Sequence, residues 1–193
     1  MLDNLKKYHV VLASNSPRRR ELLAGLGIDY EVMVLPDVEE SYPSNLPVAE
    51  IPVYIAKEKA AAYRQVMSDR DLIITADTVV VVGSQVLGKP ATLDEARRML
   101  HILSGRTHQV MTGVCLTTSL RQKAFVVSTD VTFKTLSDEE IDYYVDRYRP
   151  LDKAGAYGVQ EWIGYIGVTG LHGSYFNVMG LPVQRIYQEL QVF

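Results

Sequence analysis

Cysteine is nearly absent from this sequence, which has one among its 193 residues. An intrachain disulfide and a zinc site with four cysteine ligands are therefore excluded. Long apolar runs are missing too, because none approaches the roughly 18 residues that a membrane helix needs. The apolar run from Val10 to Ala13 is too short for a signal peptide. We therefore expect no membrane partner and a cytoplasmic location.

An excess of positive charge is also lacking, since 20 basic and 23 acidic side chains give a formal net charge of −3. A general nucleic-acid-binding protein usually carries a clear basic excess. We therefore expect no nucleic-acid partner. The net charge does not exclude a local basic pocket that binds a small anion.

Three common catalytic signatures do not occur. The sequence has no GxxxxGK[ST] phosphate loop, no GxSxG nucleophile elbow and no HExxH zinc motif. Cys115 lies between Val114 and Leu116 in a predicted strand, which indicates a buried structural thiol. The sequence alone does not exclude a Ser-His-Asp catalytic set.

Strand and helix patterns are mixed along the chain. Apolar, β-branched runs predict strands at 10–13, 30–35, 72–82, 85–87, 108–118 and 124–135, with further Gly-rich strands in the last quarter. Capping signals and helical spacing predict helices at 17–26, 52–67, 92–103, from 137 to before 150, and from 181–182 onward. Two of these helix starts are predicted capping boxes, one formed by Thr92 and Glu95 and the other by Ser137 and Glu140. This order predicts an α/β protein with a long, bent mixed sheet, formed by a single domain, 1–193, with two lobes.

The first predicted helix begins in a segment rich in hydroxyl and guanidinium groups, Ser14 to Arg20. If Ser16 is the N-cap, Arg18 and Arg19 oppose the helix dipole by roughly 0.3–1 kcal/mol each. Such a helix start suits a polyphosphate, because free backbone N–H groups and guanidinium groups bind its oxygens. The alternative is a solvated basic turn that pairs with Glu21.

Asp77 interrupts the apolar strand predicted at 72–82. A lone carboxylate in a core strand is costly unless it is paired, hydrogen-bonded or bound to a metal. It is a candidate general base or metal ligand, and the alternative is a strand-end Asp that caps a turn.

Other charged positions carry weaker signals. The pair Glu39-Glu40 lies in 36–50, a predicted exposed loop, and could add carboxylates to a magnesium site. Lys59 and Lys89 could bind an anion. Taken alone, each of these positions is also typical of plain solvated surface.

Six short motifs occur in a fixed order: ASNSPRR at 13–19, AKEKA at 56–60, ADT at 76–78, GKP at 88–90, SGRTH at 104–108 and DKAGAYGVQ at 152–160, followed by GLP at 180–182. Each is weak by itself. As an ordered set they resemble the Maf family of nucleoside-triphosphate pyrophosphatases, also called septum-formation inhibitor-like proteins.

The resemblance implies an elongated α/β fold with a cleft between two lobes, similar to inosine triphosphate pyrophosphatases. It implies attack of water on the α-phosphorus of a nucleoside triphosphate, with magnesium or manganese as cofactor. The products would be the nucleoside monophosphate and pyrophosphate. A homodimer, a house-cleaning role against non-standard nucleotides and a link to cell-division arrest also belong to what it implies.

The resemblance also implies roles for individual residues. Asp77 matches the family's proton acceptor, and with Glu40 it would bind the metal. The prolines in 36–50 leave two ways to align this segment with the family, so the loop carboxylate that binds the metal is either Glu40 or Glu39. The substrate-binding set would be Ser14, Ser16, Arg18, Arg19, Lys59, Thr78, Lys89 and Gln160, with Arg18, Thr78 and Gln160 at the specificity positions.

The SPRR form together with Gln160 resembles the branch of the family that acts on dTTP and UTP, rather than the sister branch that acts on 7-methyl-GTP. A glutamine amide can donate to O4 and accept from N3–H of uracil or thymine. Two rival functions stay open: a pyrophosphatase for modified or purine nucleotides, and a nucleotide-binding division regulator without turnover. Because a regulator needs no general base, Asp77 argues against the second.

Overall fold

A computed structural model describes residues 2–36, 38 and 40–193 of the chain. The strands are β1 (His9–Leu12), β2 (Glu31–Val32), β3 (Asp71–Val82), β4 (Gln85–Leu87), β5 (Thr107–Thr117), β6 (Gln122–Phe133) and β7 (Val168–His172). The α-helices are α1 (Pro17–Ala24), α2 (Ile51–Arg64), α3 (Leu93–Leu103), α4 (Asp138–Tyr148), α5 (Trp162–Gly167), α6 (Tyr175–Met179) and α7 (Val183–Gln191). Short 3-10 helices lie at Asp3–Lys7, Val48–Glu50 and Ala154–Ala156.

The strands form a mixed sheet in the order β2-β1-β3-β5-β6-β7, and β4 pairs with β3. Strand β1 runs parallel to both β2 and β3, with His9 opposite Asp71 and Leu12 opposite Ile74. Strand β4 is antiparallel to β3, and β7 is antiparallel to β6. The predicted α/β class with a mixed sheet is therefore confirmed.

The chain forms two compact units. The first contains the chain up to Asp77 together with Thr112–Val127 and Gly180–Phe193, and the second contains Thr78–Met111 and Ser128–Met179. Strands β3, β5 and β6 contribute residues to both. The assignment of 1–193 to a single domain stays a prediction.

In the first unit, α2 lies directly on the sheet. A Cβ built on Gly113 of β5 would lie 2.2 Å from the carbonyl carbon of Pro52, so only glycine allows this approach. The Thr75 hydroxyl of β3 donates a 2.7 Å hydrogen bond to the Ala56 carbonyl. Cys115 is fully buried beside Ala56, and this burial raises the pKa of its thiol. These contacts fix α2 against two strands.

The core of the second unit lies between its part of the sheet and the amphipathic helices α3 and α4. His108 is buried there in edge-to-face contact with Phe133 and Tyr157, and its Nε2 lies 2.6 Å from the Tyr157 hydroxyl. Burial lowers the pKa of His108 to about 4, so its imidazole is neutral at physiological pH.

Several predicted elements differ from the observed ones. The strand predicted at 30–35 is reduced to Glu31–Val32, and α1 and α2 end two and three residues early, at Ala24 and Arg64. Instead of several Gly-rich strands, the last quarter has one strand, β7, and the helices α5 and α6 before the final α7. Within the described residues, no helix has the length and apolarity needed to cross a membrane.

The two predicted capping boxes have different outcomes. Ser137 and Glu140 form the complete reciprocal box at the start of α4. At α3, the Thr92 hydroxyl accepts from the Glu95 N–H at 3.1 Å, but the Glu95 carboxylate accepts from the Ala91 N–H at 2.7 Å. In a complete capping box the Glu95 carboxylate would accept from the N–H of the N-cap residue Thr92. That part of the prediction was wrong by one residue, because the carboxylate binds the preceding residue, Ala91.

Candidate functional site

The start of α1 has the local structure that the sequence predicts. The Ser16 side chain is the N-cap and accepts from the Arg19 N–H at 3.4 Å. The Ser16 N–H in turn donates to the Ser14 hydroxyl at 3.2 Å. Arg18 lies in the first turn and is half-buried. Two hydroxyls and a guanidinium group therefore gather at a helix N-terminus, where the dipole favours anions.

The side chain of Arg19 joins three parts of the first unit. Its Nε donates to the Gly180 carbonyl at 2.8 Å, and its Nη1 donates to the Ala76 carbonyl at 2.9 Å. Partial burial lowers the pKa of Arg19, while the charges of Asp77 and Glu40 act in the opposite direction. Arg19 therefore holds the backbone beside Asp77 as well as adding positive charge there.

The structure brings Lys59, Asp77 and Glu40 together. The Lys59 Nζ lies 2.9 Å from Asp77 Oδ1 and 2.8 Å from Glu40 Oε1. It also donates to the Ala76 carbonyl at 3.4 Å. The side chains of Lys59 and Asp77 are each 11% exposed, whereas that of Glu40 is 46% exposed. Residues scattered over 38 positions of the sequence thus form one charged cluster, and Glu39 lies outside the described residues.

Tyr63 orders the segment that leads to Glu40. It lies one helical turn after Lys59 on α2, and its buried hydroxyl accepts from the Leu35 N–H at 3.0 Å and donates to the Met33 carbonyl at 2.9 Å. Sequence reasoning missed this role, although the spacing of four residues places Lys59 and Tyr63 on the same helix face. It also missed Thr75, which fixes α2 on the strand that carries Asp77.

Three predicted residues belong to the second unit. Thr78 follows Asp77 directly in β3, and Lys89 is exposed in the segment after β4. That segment is held by a 3.1 Å hydrogen bond from the Gly155 N–H to the Gly88 carbonyl. Gln160 lies in a turn that the Glu161 N–H closes by donating to the Gly158 carbonyl at 3.0 Å.

The amide oxygen of Gln160 has an unusual environment. Its Oε1 is buried, and it has no hydrogen-bond partner within the described part of the chain. A buried acceptor without a donor is costly, by about 1–3 kcal/mol. A water molecule or the N–H group of a ligand would satisfy such an atom.

The donor set of the first unit fits a divalent cation. The Glu40 and Asp77 carboxylates both contact one ammonium group, so their oxygens already face a common positive charge. Over residues 2–36, 38 and 40–193, no group of three or more His, Cys, Asp or Glu side chains could hold a metal ion. The two carboxylates of Glu40 and Asp77 are a donor set of the kind that binds Mg²⁺ together with substrate phosphates.

Comparisons with known proteins place this chain in a family. The model of the family described as Maf-like protein matches residues 9–193. A relative from Phocaeicola vulgatus with the name dTTP/UTP pyrophosphatase is 65% identical over 99% of both chains. One from Bacteroides thetaiotaomicron with the same name is 61% identical, again over 99% of both. The chain therefore belongs to the Maf-like protein family.

The fold also resembles a more distant solved structure. A HAM1 protein from Coxiella burnetii matches with a TM-score of 0.54 and 15% identity, over 96% of this chain and 100% of that one. At this identity the match shows a shared fold alone, and it agrees with the predicted mixed-sheet class.

Proposed function

We propose that this protein hydrolyses dTTP and UTP to the nucleoside monophosphate and pyrophosphate. The observation that carries the proposal is the 65% identity, over 99% of the chain, to a relative named dTTP/UTP pyrophosphatase. The geometry within the first unit supports the same chemistry, because it places the Lys59 ammonium group against the carboxylates of Glu40 and Asp77.

Hydrogen-bond donors and positive charges for the triphosphate come from several residues. The N-terminus of α1 supplies backbone N–H groups and the hydroxyls of Ser14 and Ser16, and Arg18 supplies a guanidinium group. Lys59 and Lys89 neutralise further phosphate charge. Phosphoryl chemistry depends mainly on positioning and charge neutralisation, which such a set provides.

Asp77 acts as the proton acceptor in this proposal. Its carboxylate is buried at the middle of β3, and Lys59 holds it through Oδ1. Oδ2 then takes the proton of the attacking water while the water oxygen bonds to the α-phosphorus. The bond from the α-phosphorus to the bridging oxygen breaks, and pyrophosphate leaves. The rigid support from Lys59 and β3 keeps the acceptor in place.

Glu40 and Asp77 would hold a magnesium or manganese ion. When bound, that ion supplies charge neutralisation and orients the phosphates. Both carboxylates contact the Lys59 ammonium group, which keeps them close together and limits their mutual repulsion.

Gln160 reads the base in this proposal. Its buried Oε1 accepts from N3–H of uracil or thymine, and its amide N–H donates to O4. Cytosine has no N3–H and carries an amino group at position 4, so it fits this pattern poorly. Thymine and uracil share the edge that is read, which explains why one pocket would accept both.

The test is product analysis with a panel of nucleotides. Purified protein with magnesium or manganese chloride is incubated with dTTP, UTP, CTP, GTP and ITP in water labelled with heavy oxygen. We expect pyrophosphate and a labelled monophosphate from dTTP and UTP, and loss of turnover when a chelator removes the metal.

Other outcomes separate the rival functions. Release of orthophosphate would contradict the proposed bond cleavage. Preference for ITP or GTP would favour a pyrophosphatase for modified or purine nucleotides, and tight binding without turnover would favour a regulator. The cytoplasmic location, the homodimer, the absence of a nucleic-acid partner and the link to cell division stay predictions.

A further inference from the structure

A buried hydrogen-bond network surrounds the turn that carries Gln160. Tyr144 of α4 is fully buried, and its hydroxyl donates to Glu161 Oε2 and accepts from the Gly158 N–H at 3.0 Å. Lys153 Nζ lies 3.2 Å from Glu161 Oε1. The hydroxyl and the ammonium group therefore hold both oxygens of one carboxylate.

The network is packed directly against the backbone of the turn. A Cβ built on Gly158 would lie 2.9 Å from Glu161 Cδ and 3.1 Å from Lys153 Cε, so the two side chains occupy that space. On the other side, a Cβ on Gly164 of α5 would lie 1.8 Å from the Val159 carbonyl oxygen. The backbone on both sides of Gln160 is thus held in place, which fixes the position and direction from which its side chain extends.

Tyr144 can serve only as a hydrogen-bonding support. Burial and the neighbouring Glu161 carboxylate raise the pKa of its hydroxyl well above the usual range, so the proton stays on Tyr144. The hydroxyl is also engaged twice within the protein, once as donor and once as acceptor. Its effect on a ligand therefore passes through Gly158 and Glu161.

We infer that Tyr144 is a positioning residue for Gln160 and that, with Glu161, it determines how strictly the enzyme distinguishes bases. The inference rests on the proposed function, in which Gln160 reads the base. An amide that is held in one orientation rejects a base with the opposite donor pattern. When the turn loosens, the amide can rotate to fit either pattern, and discrimination falls.

The test compares Tyr144→Phe with Tyr148→Phe. Tyr148 stacks on Tyr144 with ring centroids 5.0 Å apart, and among the described residues its hydroxyl makes no hydrogen bond, so it is a matched control. The ratio of kcat/KM for UTP to that for CTP is measured for both variants. We expect Tyr144→Phe to lower this ratio about tenfold, which corresponds to about 1.4 kcal/mol. Tyr148→Phe should leave it within about twofold.

Variants of Glu161 keep the test decisive if Tyr144→Phe folds poorly. Glu161→Gln retains an oxygen that accepts from the Tyr144 hydroxyl, so the UTP to CTP ratio should stay near that of the unmodified protein. Glu161→Ala removes the acceptor and should lower the ratio as Tyr144→Phe does. Thermal unfolding of each variant shows whether lost selectivity accompanies an intact fold.

Two outcomes would overturn the inference: an unchanged ratio in Tyr144→Phe and Glu161→Ala, or an equal loss for every nucleotide, which would indicate a purely structural role. The unmodified protein tests the proposed function separately. If it prefers another base, that proposal fails, but the inference is then tested on the preferred base. If it turns over nothing, calorimetric binding of UMP and CMP gives the ratio, and no preference between them contradicts the inference.

Discussion

At the scale of single residues, Asp77 combines a buried carboxylate with one firmly bound oxygen. We expect Asp77→Asn to lower kcat by roughly 10²–10⁴, because the amide cannot accept a proton. The side chain keeps its size, so the fold should survive, and circular dichroism checks this. Asp69→Asn, at an exposed position, is the control and should retain full activity. Near-full activity in Asp77→Asn would instead assign the base to Glu40 or Glu39.

Gln160 offers a residue-scale test of base reading. In Gln160→Glu a carboxylate oxygen replaces the amide donor and faces O4 of uracil or thymine. An unpaired acceptor costs about 1–3 kcal/mol, so kcat/KM for dTTP and UTP should fall about 10- to 150-fold. CTP, with an amino group at that edge, should lose less or gain. Gln188→Glu on the exposed face of α7 is the control, and equal loss across all bases would contradict base reading.

The predicted site residues show what sequence patterns can supply. Asp77 and Ser16 could be identified from the sequence because each has a local signal. Asp77 is a carboxylate in an apolar strand, and Ser16 is an N-cap residue before a proline. The contact of Lys59 with both Asp77 and Glu40 was not, because it depends on how α2 lies on β3. The roles of Tyr63 and Tyr144 were missed for the same reason: buried tyrosines fit any core pattern.

At the scale of elements, α2 depends on the close approach at Gly113. We expect Gly113→Ala to destabilise the protein by about 1–3 kcal/mol, because the added methyl meets backbone atoms that cannot move aside. Activity should fall as well, since α2 carries Lys59. Chemical denaturation and steady-state kinetics measure the two effects.

Gly170→Ala in β7 is the matched control for Gly113→Ala. A Cβ there lies 3.6 Å from its nearest neighbour, an ordinary contact, so stability should stay within about 0.5 kcal/mol. Equal stability of the two variants would show that α2 adjusts to the extra methyl group.

Element boundaries were predicted best where a local signal exists. Ser16 and Ser137 mark helix starts by their own hydrogen bonds, and β3 is a long apolar run that one carboxylate does not interrupt. The strand predicted at 30–35 pairs over only two residues, since its partner β1 offers only Val11 and Leu12. The last quarter was predicted to hold Gly-rich strands, but Gly164 lies in α5, where a Cβ would lie 1.8 Å from the Val159 carbonyl oxygen.

At the scale of the whole molecule, one group of charges predicts how stability varies with pH. His9 Nδ1 lies 2.9 Å from Asp71 Oδ1, and its Nε2 lies 3.1 Å from Glu31 Oε2. The hydrogen bond with Asp71 and the charge of Glu31 raise the pKa of His9 above 6.5. Its contribution to stability is therefore complete below pH 6.5 and is lost as the pH rises through the raised pKa.

Asp71 sets the acid limit of that contribution. Burial opposes its ionisation, but hydrogen bonds from Ser68 and His9 outweigh burial and lower the pKa of Asp71 below 3.8. The contribution of Asp71 to stability is present above pH 3.8 and is lost as the pH falls through the lowered pKa. The pair should therefore stabilise the protein most in the mildly acidic range.

The measurement is the free energy of unfolding of the unmodified protein and of His9→Gln. We expect the difference between them to be larger at about pH 5.5 than at about pH 8.5. His101→Gln is the control variant, because His101 is exposed and lies 3.9 Å from its exposed partner Asp138. A difference for His9→Gln that does not vary with pH would contradict the assignment.

The burial of Cys115 gives this chain an internal reporter of its own motions. A thiol reagent reacts with the thiolate, and here the thiol is both inaccessible and hard to ionise. Labelling must therefore wait until α2 lifts away from β5. Because the chain has no other cysteine, each labelled molecule marks one such opening event in the unit that carries Lys59 and Asp77. The labelling rate is followed by mass spectrometry with and without nucleotide, at reagent concentrations high enough that the rate no longer depends on them. Under that condition it gives the frequency of opening.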